Sequence, residues 1–315
     1  MYGQFFVMFA MIFTGYLMRK IDFIKDEMNN SLNKFIVYCA YPCMITYNIG
    51  TMKINAHLLK EFILMMVVSF AALMIFALIT RLYTKGRRFP DRVSNVSELS
   101  MICPNNGFMG FPMALSFLGS HGLLLMTAQN SAMNVFSFSY ALYALRRNKE
   151  THEKLTVQAV VGSTVKVLLN PNILALFIGF FLCLTKIPLD NAIGTYLNYI
   201  GGAATPMAMI FIGSTLAGSK FFEILRNHIV WESALWKLVI MPVITAGVMM
   251  LLPLGAYFKV IMVLGICFPT AATVPMLAEQ EGQSHELASK ILFFTTVVSM
   301  ATVPFTITLI KFLFL

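Results

Sequence analysis

The stretch Cys103-Pro104-Asn105-Asn106-Gly107-Phe108-Met109-Gly110-Phe111-Pro112 decides how this chain is read. It sits inside a long apolar run but carries two prolines with small and polar residues between them. A proline within a helix removes a backbone donor and clashes with the preceding turn. A second stretch of the same kind, CFPTAATVP at 267–275, interrupts another apolar run, and Pro104 and Pro269 lie 165 residues apart. At membrane depth, nonhelical backbone is tolerated only against protein or a watery cavity. Two such interruptions, in corresponding places of two half-chains, point to a binding site near the bilayer midplane. Each proline pair predicts two interruptions of helical hydrogen bonding in its span.

The composition supplies the membrane. Of 315 residues, 58% are hydrophobic and 12% charged, with a mean hydropathy of +0.76, far above a soluble domain. Ten apolar runs are near the ~20-residue length that crosses a bilayer as helix. They fall at 3–18, 31–50, 59–80, 95–118, 122–145, 171–188, 194–217, 229–253, 257–279 and 287–314. Runs such as FILMMVVSFAALMIFALI are continuously apolar rather than alternating, which excludes a β-barrel and predicts an all-α polytopic membrane protein.

Lysine and arginine set the orientation, because cytoplasmic loops are enriched in them. Sixteen, from Arg19 and Lys20 to Lys290, fall on one side; Lys53, Lys60, Lys186, Lys259 and Lys311 fall on the other. Both termini are therefore expected outside the cell membrane. The net charge of +9 is accounted for by cytoplasmic loops facing anionic lipids, so no nucleic-acid partner is implied. The basic residues follow the first apolar run instead of preceding it, so that run reads as a retained helix and not a cleaved leader.

The five cysteines, Cys39, Cys43, Cys103, Cys183 and Cys267, all lie in apolar runs without CxxC spacing or a histidine partner. They read as packing residues, with no metal site or disulfide expected.

Differences between the two halves are nearly constant. Gly179 follows Gly15 by 164 residues, Pro206 follows Pro42 by 164, and Pro275 follows Pro112 by 163. The polar stripe Asn130, Asn134 and Ser137 reappears 165 residues later as Thr295, Ser299 and Thr302. Helical spacing places each stripe on one face. The expected organisation is a five-helix repeat at 1–145, a cytoplasmic linker at 146–168, and a second five-helix repeat at 169–315. An odd number of spans per repeat makes the second inverted relative to the first, with helices 4 and 9 broken at the crossover.

A helix broken at the midplane exposes amide N–H groups where the macrodipole is positive, so an anion can bind there without lysine or arginine. Neither broken stretch has a basic residue between its prolines, while Asn105, Asn106, Thr270 and Thr273 add short polar groups. The alternative for either asparagine is to cap the restarted helix. Gly107 and Gly110 suit close helix crossing. Asn130 and Asn134 either line a cavity or tie helices together. Cys43 and Tyr47, beside Pro42, either wall the site or simply pack. Glu98 and Lys237 are ionisable groups in or near spans and are candidates for proton coupling; Lys237 could instead snorkel or pair with Glu232. All four aspartates fall in loops, and the chain has no HExxH, GxSxG or Walker motif, so neither enzyme chemistry nor a cofactor is implied.

At these residues the chain resembles the auxin efflux carrier family, which includes plant PIN-formed carriers and bacterial malate and malonate permeases. The resemblance is nearly full length. It rests on Pro104, Asn105, Met109, Gly110 and Pro112, on Asn170, Pro171 and Asn172, on Met207, Ala208, Met209 and Gly213, and on Pro269 and Pro275. Asn170 before Pro171 is also a sound helix start without any ligand. The resemblance implies a scaffold and dimer contact from spans 1, 2, 6 and 7. It also implies a transport domain from spans 3–5 and 8–10, and elevator-like movement within a homodimer. Asn105 matches the family's substrate-contacting asparagine. Ser100 stands where plant carriers have a further asparagine, and their long cytoplasmic loop is here a short linker, which argues against auxin itself and for a generic carboxylate such as malate or malonate. Two other readings stay open: a sodium-coupled symporter resembling the bile-acid symporter family, and a receptor that senses carboxylates without moving them.

Overall fold

The computed structural model describes residues 2–53, 55–87, 89–147, 169–217 and 226–314. Among them secondary structure is entirely helical, apart from one isolated antiparallel bridge between Pro104 and Thr270. Among the described residues, five helical stretches are long and apolar enough to cross a membrane: Ala56–Gly86, Asn106–Arg146, Ala192–Ala217, His228–Leu251 and His285–Phe314. The protein is all-α and polytopic, as expected from the composition. Of the expected linker at 146–168, only Arg146 and Arg147 belong to the described residues.

Runs 95–118 and 122–145 are parted at Gly119, where two helices meet at a kink within the stretch Asn106–Arg146; its φ of 61° and ψ of −153° are non-helical, and a side chain would oppose them.

The two expected interruptions per broken span reduce to one. Helix Asp91–Ile102 ends before Pro104, but Pro112 lies within continuous helix, directly after a π-helical turn at Asn106–Gly110. The same arrangement recurs twice: the π turn Ile36–Ala40 precedes Pro42, and Trp236–Ile240 precedes Pro242. Each π turn ends two residues before its proline. The widened turn moves aside the carbonyl that the pyrrolidine ring would otherwise strike. Pro275 is third in helix Thr273–Gln280, where the missing N–H belongs to a turn that has no internal acceptor anyway.

The described residues fall into two compact units. One takes those of 1–63, 107–128 and 168–219; the other those of 64–106, 129–167 and 220–315. The first is packed through small residues. A Cβ on Gly15 would lie 2.1 Å from the Ile210 carbonyl oxygen, and one on Gly213 only 1.8 Å from that of Ile12, so helices Tyr2–Lys20 and Ala192–Ala217 touch backbone to backbone. Helix Tyr41–Gly50 meets Ala192–Ala217 at Gly201 and Pro171–Leu184 at Gly179. Between lipid-solvated helices such contact replaces the hydrophobic drive available in water. Asn170 caps helix Pro171–Leu184 by accepting from Asn172 N–H at 3.0 Å, the non-ligand role its sequence allows. Gly213→Ala is expected to cost about 1–3 kcal/mol by overpacking, read as a fall in Tm of the detergent-purified protein. An unchanged Tm would mean that the two helices separate without penalty.

The second unit contains the half-helices Asp91–Ile102, Ala256–Cys267 and Thr273–Gln280 and the segments between the breaks, while residues 107–128 of the helix restarted at Asn106 belong to the first. Gln129 Nε2 donates to the Met262 carbonyl at 3.3 Å, and its Oε1 occupies the place of an absent Cβ on Gly265. Tyr83 donates to Glu232 at 2.8 Å, and Arg87 pairs with the same carboxylate. Trp231 packs edge-on to Phe294 with centroids 4.6 Å apart.

Candidate functional site: the crossing of two broken helices

Helix Asp91–Ile102 ends at Cys103, whose extended ψ of 110° turns the chain out of the helix; Ala256–Cys267 ends likewise at Phe268 with ψ 152°. The freed backbone groups find partners in each other. Asn105 N–H donates to the Pro269 carbonyl at 2.8 Å, and Ala271 N–H to the Cys103 carbonyl at 2.9 Å. Thr270 completes the crossing: its hydroxyl donates to the Ser100 carbonyl at 2.7 Å, and its N–H to Thr295 Oγ1 at 3.2 Å. Two short extended segments thus satisfy each other's freed backbone groups inside the protein. The chain then restarts as helix from Asn106 and from Thr273, placing two positive helix ends after the crossing and two negative ones, at Ile102 and Cys267, before it.

Within this unit lie Pro104, Asn105, Asn106, Pro269, Thr270 and Thr273, together with Asn130, Asn134, Glu98 and Lys237. Asn106 is 1% exposed, yet both of its amide atoms lack a hydrogen-bond partner. Asn105 is buried, Thr273 exposed, and Asn130 and Asn134 half-buried. Thr295, one of the stripe residues, touches the crossing itself through Thr270. Gly107, Cys43 and Tyr47 belong to the other unit. There Tyr47 lines a cavity of about 690 Å³ together with Lys53, Cys183 and Lys186.

The ionisable pair separates into two environments. Glu98 is fully buried and accepts from Tyr140 Oη at 2.6 Å and from Arg147 Nη2 at 2.7 Å. Burial acts to lower the Arg147 pKa, but the Glu98 hydrogen bond and charge outweigh it and hold the guanidinium above its ordinary value. Lys237 is also fully buried, and neither snorkels nor pairs with Glu232, because Arg87 and Tyr83 hold that carboxylate. Its ammonium donates instead to the Ile102 carbonyl at 2.9 Å, at the end of the first half-helix. Sequence reading missed this contact, as it missed Gln129 against Gly265 and Arg147 against Glu98. A lysine inside an apolar run was the available signal for the first of these.

A paired helix break of this kind in an all-helical membrane protein is the arrangement around which membrane transporters build their binding sites. Comparison with known proteins agrees: the membrane transport protein family matches residues 1–307. The chain belongs to that family, the family of the auxin efflux carriers. A protein of Rhizobium meliloti named "Putative malonate transporter" is 27% identical over 307 residues, covering 96% of this chain and 93% of the relative. An "Uncharacterized transporter" of Methanothermobacter thermautotrophicus is 23% identical, covering 94% and 93%. Another transporter, from Methanocaldococcus jannaschii, is 21% identical, covering 94% of each chain.

Proposed function

We propose that this chain is a secondary carrier or facilitator that moves small organic anions, carboxylates of the malonate and malate class, across the cell membrane. The observation that carries the reading is the buried Asn106 amide, unpaired on both atoms, at the start of a helix restarted beside a proline crossing. A buried amide without partners is costly unless a ligand supplies them. The positive helix end beside it selects an anion, and the amide selects an oxygen-rich one. The name carried by the Rhizobium relative supports malonate as the first substrate to try.

The finer architecture belongs to the same proposal. Ten spans form two inverted five-helix repeats, with spans 1, 2, 6 and 7 as scaffold and spans 3–5 and 8–10 as the moving part of an elevator, within a homodimer whose termini lie outside. Supporting it, one compact unit holds the residues of the first four named spans, and the other holds most of the rest, including residues 103–106 and 267–275 at the two breaks. Coupling to protons or sodium is a separate question, tested by flux at fixed potential.

Purified protein in liposomes is expected to show saturable uptake and counterflow of radiolabelled malonate. Asn105→Ala and Asn106→Ala are each expected to abolish it while leaving the Tm close to wild type. Binding of malonate without any movement would favour the sensing receptor and overturn the carrier reading. Unchanged uptake kinetics in both variants would remove the asparagines from the site.

A further inference from the structure

Lys237 stands nine residues into the helical stretch His228–Leu251, roughly 13 Å from its start, and its side chain is fully buried. An ammonium at that depth requires either a counter-charge or carbonyl oxygens. The acidic groups nearby are already engaged: Glu232 by Arg87 and Tyr83, Glu98 by Arg147 and Tyr140. What Nζ meets is the Ile102 carbonyl, the last of half-helix Asp91–Ile102. The other titratable groups beside it are the thiols of Cys103 and Cys267, where the two first half-helices end.

The C-terminal end of a half-helix, with its negative pole and freed carbonyls, is the kind of place where a carrier coordinates a small monovalent cation. Here a side chain already fills it. We propose that the Lys237 ammonium is a resident cation occupying the alkali-cation position at the end of half-helix Asp91–Ile102, so that anion movement through the crossing needs no co-transported sodium. The proposal rests on the crossing being the anion site. It assigns Lys237 a structural charge in place of a transported one. It also gives a function to a basic side chain whose full burial is costly. Removing the side chain should recreate a cation site that a free ion can enter.

The test uses full-length wild type, Lys237→Ala and Lys237→Met, in detergent and in liposomes. Wild type is expected to have the same Tm, and the same malonate uptake at fixed potential, in sodium and in choline. Lys237→Ala is expected to lose uptake in choline and regain part of it in sodium or methylammonium, and its Tm should rise with either cation. Lys237→Met, whose thioether refills the volume without charge, should lose uptake in all three media. Sodium-stimulated uptake by wild type overturns the proposal, as does wild-type uptake by Lys237→Met in choline. So does a Tm of Lys237→Ala indifferent to both small cations. Should Lys237→Ala fail to fold, the wild-type and Lys237→Met measurements still decide. The Tm readings involve no anion, so they distinguish failure of this proposal from failure of malonate as a substrate.

Discussion

Joint replacement of Pro104 and Pro269 by alanine is expected to abolish malonate uptake, with each single replacement retaining a part of it. Continuous helix through either break is opposed by about 3 kcal/mol or more per proline, from the lost donor and the ring clash. The crossing is held in addition by the Asn105–Pro269 and Ala271–Cys103 backbone bonds and by the Thr270 hydroxyl on Ser100. At about 0.5–1.5 kcal/mol net for each such bond, those three are of the same size as a single proline term. One remaining proline plus the cross-bonds can therefore hold the break, whereas the cross-bonds alone face two helices that each gain by running through. The loss should be more than the product of the single effects, because both prolines act on one structure. Uptake by the double variant at the wild-type rate would contradict the crossing as the transport site. A double variant that matches the product of the singles would show the two breaks acting independently.

Much of this was legible in the chain because proline, glycine and continuous apolar runs act locally. The apolar runs predicted helices where helices occur, and the matched stretches at Pro104 and Pro269 marked two segments that meet as the bridge between Pro104 and Thr270. What misled was also proline. Pro112 and Pro275 read as further interruptions, but a proline is harmless in a first helical turn, as at Pro275, and tolerable behind a π turn, as at Pro112. No sequence period announces a π turn, since its extra residue is set by how the helix must pack on either side. The partners of buried polar groups were hidden for a different reason. Lys237 and Ile102 are separated by 135 residues, and Gln129 and Met262 by 133, so their contacts exist only once helices have been placed. A lysine within an apolar run shows that a partner must exist, without showing which carbonyl it is.

The buried pair of Glu98 and Arg147 should yield the largest loss of stability, and an asymmetric one. Glu98 is fully buried, whereas the Arg147 side chain is 10% exposed. Arg147→Ala leaves a carboxylate in the interior with Tyr140 as its remaining donor, and breaking a buried ion pair from one side costs about 3–5 kcal/mol. Glu98→Gln removes the charge while keeping an acceptor for the Tyr140 hydroxyl, and the freed guanidinium is close enough to solvent to rehydrate. Its cost should be distinctly smaller, and Glu98→Gln with Arg147→Met should recover much of what Arg147→Ala loses. Tm and denaturant midpoints in detergent measure all three. Equal losses from Glu98→Gln and Arg147→Ala would mean that the guanidinium, not the carboxylate, is the trapped charge. The same variants bear on coupling. If Glu98 carries a transported proton, Glu98→Gln should keep malonate counterflow but lose accumulation driven by a proton gradient. If its work is to anchor Arg147 and Tyr140, both activities should decline together and in proportion to the fraction of protein folded. The second outcome follows from the geometry, because the carboxylate is already engaged by a guanidinium at 2.7 Å and a phenol at 2.6 Å.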